Sequence, residues 1–149
     1  MRKIAAALGT LAVVALPALA AEDPIAARQA LMSNNGAAAG VAGGIMKGEL
    51  EYSPVVGRAV IQALAATAAT YGDYFPEGSL DESRSRAAPI IWEDMEGFLA
   101  ELEEYRTAVA SAQEVSGRDG PPDQAAFGSA MQPVFDTCTS CHETYRLEE

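Results

Sequence analysis

Between Ile91 and Ala112 the residues Ile91, Met95, Phe98, Leu102, Tyr105, Val109 and Ala112 advance by four and three in alternation. That stepping keeps all seven on one stripe of an α-helix, and an alternating strand would scatter them over both faces. A helix with one apolar stripe must bury it against other helices. A second series with the same step, Phe127, Met131, Val134, Cys138, Cys141 and Tyr145, lies further along the chain. Alanine is the commonest residue, and β-branched alternation of the kind a half-buried strand needs is scarce. The fold class is therefore all-α, an antiparallel four-helix bundle.

Breakers set the boundaries. The first helix is predicted from about Pro24, suited to a first turn, to Lys47, with Gly48 as its stop. The second follows Ser53, a candidate N-cap, with Pro54 at the first helical position and Val56, Val60, Leu64, Thr67 and Tyr71 along one side, ending near Gly72. Residues 73–88 carry Tyr74-Phe75-Pro76-Glu77-Gly78 and a mixed charged stretch, too long for a tight turn, and read as a crossover. The third helix is predicted from about Pro89. Its remaining faces carry Glu93, Asp94, Glu96, Glu101, Glu103 and Glu104, which read as a solvated surface in preference to a metal site. Residues 117–122 break the chain again, and Pro133 predicts a kink or a restart within the fourth helix.

Residues 1–20 stand apart. Arg2 and Lys3 precede an uncharged run from Ile4, which closes on Pro17 and Ala18-Leu19-Ala20. This is the pattern of a secretory signal peptide cleaved after Ala20, leaving 21–149 as one domain. A membrane anchor is the competing reading, but the run is barely long enough to span. The rest has no apolar stretch of spanning length, so a soluble, exported, periplasmic protein with no membrane insertion is expected. The 21 acidic against 10 basic residues, a net charge of −11, argue against nucleic acid, whose binding needs a basic face.

The residues that carry chemistry are Cys138-Thr139-Ser140-Cys141-His142, and His142 is the only histidine. In an exported chain Cys-x-x-Cys-His reads as c-type haem attachment. Two cysteines three apart share a helix face, so both thiols can form thioethers to one porphyrin, and the adjacent His142 is placed as proximal iron ligand. A structural disulfide, a redox dithiol and a zinc site use similar spacings. The dithiol normally starts a helix in a strand-and-helix framework absent here, and zinc lacks an obvious fourth ligand.

At these residues the chain resembles the class II c-type cytochromes, the cytochrome c' and low-spin cytochrome c-556 group. The resemblance covers essentially all of 21–149. It rests on Arg28-Gln29-Ala30-Leu31-Met32, Lys47-Gly48-Glu49, Phe75-Pro76-Glu77-Gly78-Ser79, Pro89-Ile90-Ile91-Trp92 and, most specifically, residues 138–146 near the C-terminus. It implies a four-helix bundle with one covalently attached haem c and its iron near the C-terminus. It also implies Met32 on the distal face as sixth ligand, Arg28 against a haem propionate, and Arg146 beside the proximal imidazole. Met46, Met95 and Met131 read as core filler, and Trp92 and Tyr145 as packing residues. A ligating Met32 implies a one-electron carrier that needs no catalytic residue. Its acidic surface would suit a redox partner with a basic docking patch. A merely packing Met32 implies a five-coordinate iron that binds nitric oxide or carbon monoxide. Peroxide turnover is disfavoured, because His142 is committed to the proximal side and no distal imidazole remains. Members of this class are often homodimers through their first two helices, which leaves oligomeric state open.

Overall fold

The computed structural model describes residues 23–148, so the expected signal segment at 1–20 lies outside the described residues. Four long helices form the bundle: α1 (Pro24–Met46), α2 (Pro54–Thr70), α4 (Met95–Ser116) and α5 (Gln124–Tyr145). A one-turn α3 (Ile90–Glu93) precedes α4, and a 3-10 turn (Tyr71–Tyr74) continues α2 into the crossover. Each long helix packs against the next, and α5 packs against α1 to close the ring.

Each long helix opens on a side-chain cap. Asp23 accepts from the N–H groups of Ile25 (3.0 Å) and Ala26 (3.3 Å), Ser53 from Val56, Asp94 from Gly97, and Asp123 from Ala126. These oxygens satisfy N–H groups that have no partner within the helix. At the end of α1, Gly48 takes a positive φ of 73°, and the N–H groups of Glu49 and Leu50 turn back onto the Gly44 carbonyl. Gly48 is the stop its sequence position suggests.

The main core joins all four long helices through Ala42, Ile45, Ile61, Leu64, Val109, Ala112, Phe127, Met131 and Val134. A second cluster at one end holds Phe75, Ile91, Phe98, Leu102 and Tyr145, with Tyr71, Trp92 and Met95 packed against it. Met131 is fully buried, and Met46 and Met95 pack against the two clusters, as core filler should.

Three expectations need correction. The apolar stripe from Ile91 to Ala112 is not one helix, because the chain leaves helical geometry at Asp94 (φ −129°, ψ 64°). The Asp94 carboxylate caps α4 in place of continuing α3, and Ile91 keeps its stripe position across the break. Val56 is not on the buried side of α2; it is exposed, and Gly57, Val60, Ile61, Leu64, Thr67 and Ala68 face inward. Pro133 does not restart α5, which runs through it from Gln124 to Tyr145. Its ring sits on the exposed side, where the missing N–H costs the bundle no buried contact.

The loop between α4 and α5 returns over the start of α2. Gly120 has φ 95°, and a Cβ there would lie 1.9 Å from the Pro54 carbonyl oxygen. Gly117 also has a positive φ (54°), yet open space surrounds it. Gly120→Ala is expected to cost about 3 kcal/mol, roughly a 10 °C fall in midpoint, because backbone strain and overlap add. Gly117→Ala carries the strain alone, about 1 kcal/mol. Equal losses in the two variants, measured by thermal unfolding, would show that the contact with Pro54 is unimportant.

Candidate functional site

Cys138 and Cys141 lie on one face of α5, both half-buried and both free thiols. They face different neighbours: Cys138 packs against the main core and Cys141 against the end cluster. The motif is tied to α4 by Ser140, whose Oγ donates to Glu101 Oε2 at 2.9 Å. Glu101 is thus half-buried, whereas Glu93, Asp94, Glu96, Glu103 and Glu104 around it are exposed.

Burial raises both thiols, Cys141 to about 11 with further lifting by Glu101 and Cys138. A redox dithiol requires the opposite, a thiol lowered into the neutral range so that thiolate is present. The disulfide reading finds no bond between the two sulfurs. Among the described residues no group of three or more His, Cys, Asp and Glu side chains is arranged to hold a metal ion by itself. His142, half-buried, is held below its ordinary value by burial first and then by the Arg146 and Arg86 cations. Its neutral imidazole, the form that can ligate a metal, is favoured.

Opposite stands α1. Arg28 is 2% exposed, and its Nη1 donates to the Tyr74 carbonyl (2.8 Å) and Ser79 Oγ (2.9 Å), its Nη2 to the Ser79 carbonyl (2.9 Å). Its Nε has no partner. Two turns along the same face, Asn35 Nδ2 donates to the Tyr105 hydroxyl at 3.1 Å, and Asn35 Oδ1 is buried without a donor. Met32 lies between them on that face, half-buried, and packs in neither core cluster, alone among the described methionines. Tyr71 links this face to the cysteines: burial chiefly raises its phenol, Cys141 adds to the rise, and Arg28 opposes it. Tyr105 is raised by burial and then by Cys138.

Arg146 is exposed, and its backbone forms an antiparallel bridge with Ala87. The Ala88 N–H donates to the Tyr145 carbonyl and the Leu147 N–H to the Arg86 carbonyl, fastening the end of the crossover to the end of α5. Arg86 donates to the Leu147 carbonyl from Nε and Nη2. Sequence reasoning missed Ser79, Asn35 and Tyr71 as site residues. The one local signal was Asn34-Asn35 inside an otherwise small and apolar helix, where asparagine has poor helix propensity.

These side chains fit a covalently held haem. Two unpaired thiols share a face, a neutral imidazole follows the second, and a buried guanidinium with an unused N–H suits a carboxylate.

Known proteins agree. A family profile described as Cytochrome C' matches residues 23–146. Cytochrome c-554 of Cereibacter sphaeroides is 34% identical, with all of both chains covered. Cytochrome c-556 of Agrobacterium fabrum is 31% identical over 89% of this chain and 86% of its own length. Among solved structures, cytochrome c' from Rhodopseudomonas palustris superposes with a TM-score of 0.76 at 27% identity, over 85% of this chain and 98% of that one. The chain belongs to the cytochrome c' family, whose haem proteins carry electrons or bind small gases and hold one covalently attached haem c with its iron.

Proposed function

We propose that this protein is an exported, periplasmic one-electron carrier whose iron takes His142 and Met32 as axial ligands. One observation carries the reading. Met32 is a half-buried methionine outside both core clusters, flanked on its own helix face by two buried polar groups with unmet hydrogen-bonding capacity. A methionine that filled core would sit in a cluster, as Met46, Met95 and Met131 do. The bound haem supplies a single electron's change between ferrous and ferric iron.

The chain's residues do the rest. Cys138 and Cys141 anchor the group, His142 offers a neutral nitrogen, and Met32 offers a soft neutral sulfur, which favours ferrous iron. The unused Nε–H of Arg28 would be available to a propionate, and Arg146 adds positive charge that acts on the imidazole of His142. Export follows from the segment at 1–20, with 21–149 as the haem domain; among the described residues no helix is long and apolar enough to cross a membrane. The excess of acidic residues favours a partner with a basic patch, and added salt should slow that encounter.

The second reading is an open iron that binds nitric oxide or carbon monoxide, with Met32 as a wall. A nitric oxide complex of a cytochrome c prime variant from Alcaligenes xylosoxidans, which shares this fold, is the observation on its side. The absorption spectrum of the purified, haem-loaded, oxidised protein separates the two. A low-spin spectrum with the weak red band of methionine sulfur on ferric iron supports the carrier. A high-spin spectrum that shifts when carbon monoxide meets the reduced protein makes gas binding the better account.

A further inference from the structure

We infer that Ser79 and Arg28 are positioning residues for Met32: the crossover grips the start of α1 through this pair and sets where the methionine stands. The inference rests on the reading of Met32 as an axial ligand. Arg28 spends three N–H donors on the crossover, two of them on Ser79. The Ser79 hydroxyl is itself oriented, since it donates to the Pro76 carbonyl at 2.8 Å while accepting from Arg28. The guanidinium also lies over two crossover-side rings, 4.7 Å from the centre of Phe75 and 5.5 Å from that of Trp92. Trp92 in turn donates to the Pro76 carbonyl.

Adjacent bonds act the same way. Gln29 Nε2 donates to the Arg84 carbonyl at 2.6 Å, and Asp23 pairs with Arg84. The first turns of α1 are therefore bonded to the crossover. Further along, Asn34 bonds to the Ala63 carbonyl of α2, Asn35 bonds to Tyr105 of α4, and the α1 residues of the main core begin at Ala38. Met32 stands where one set of restraints gives way to the other, four residues after Arg28 and three before Asn35. A ligand must be held within about 0.5 Å of its productive position, so releasing the first set should weaken the sulfur's hold without disturbing the bundle.

The test uses the haem-loaded protein with Ser79→Ala, which removes the hydroxyl that accepts from Arg28 and donates to Pro76 while leaving the Ser79 and Tyr74 carbonyl acceptors, and Ser79→Thr, which restores a hydroxyl. Arg28→Lys, which keeps the charge and loses the fork, carries the test should Ser79→Ala fail to fold. Three quantities are read: the red band of the oxidised protein, carbon monoxide uptake by the reduced protein, and helix content by circular dichroism. Ser79→Ala is expected to lose much of the band and to gain about tenfold in carbon monoxide affinity, as the open fraction of iron rises in proportion. Helix content stays unchanged, and Ser79→Thr recovers the original spectrum. Wild-type band and uptake in Ser79→Ala, while Met32→Ala alters both, would overturn the positioning role alone. No change in Met32→Ala would overturn the ligand reading itself and this inference with it.

Discussion

Replacing Met32 with alanine is expected to turn a low-spin iron into a high-spin one and to make the reduced protein take up carbon monoxide stoichiometrically. The sulfur is the only candidate donor that α1 places between Arg28 and Asn35, since the remaining side chains from Gln29 to Asn34 include no other thioether, thiol or imidazole. Asn35 is held through its Nδ2 by Tyr105, whose hydroxyl is in turn bonded to the Leu64 carbonyl at 3.1 Å, and its hard amide oxygen is a poor replacement for a soft thioether. The reduction potential should fall, because a soft ligand that favoured the ferrous state is gone. Stability should change little, by about 1 kcal/mol, as a half-buried methionine outside the core clusters leaves a small cavity. Absorption spectra in both oxidation states and a carbon monoxide titration check this. A variant that keeps its red band and stays closed to carbon monoxide would return Met32 to a packing role.

Removing both thiols, Cys138→Ala with Cys141→Ala, is expected to abolish covalent haem retention. Haem should then be extracted completely by acidified organic solvent, whereas the unaltered protein retains it. Either single variant should keep one covalent link and resist extraction. The double variant should also unfold more easily, since a covalently tethered group stays at high effective concentration and a free one stabilises only by its binding. The two thiols bear on separate clusters, so the loss reaches beyond one corner of the bundle. Mass spectrometry of the denatured chain gives the answer: haem still attached to the double variant would remove the assignment of these cysteines.

Local pattern carried much of this molecule. The step of four and three placed Phe98, Leu102, Tyr105, Val109 and Ala112 in the interior, where all are buried. Ser53, Pro54 and Gly48 marked helix ends because capping and positive φ are demands of single residues. The cysteine spacing pointed to its chemistry because a helix face is a matter of counting. What pattern could not carry was any bond between distant segments. Arg28 and Ser79 are 51 residues apart, and Ser140 and Glu101 are 39 apart; nothing near either member announces the other. The break at Asp94 was hidden because Ile91 and Met95 keep the stripe's spacing through it. Val56 was misplaced because Gly57, without a side chain, turned out to occupy the inward position beside it.

The end cluster beside Cys141 is built largely of rings set edge to face: Tyr71 on Phe75 at 5.1 Å, Phe75 on Phe98 at 4.6 Å, and Phe98 on Tyr145 at 5.3 Å. Interlocked rings of this kind have few polar groups free to turn. When a charge appears or disappears next to such a wall, the wall does not rearrange, and little of the driving force is dissipated in reorienting the surroundings. The aromatic packing that closes one end of the bundle thereby lowers the reorganisation energy for any change of charge beside it.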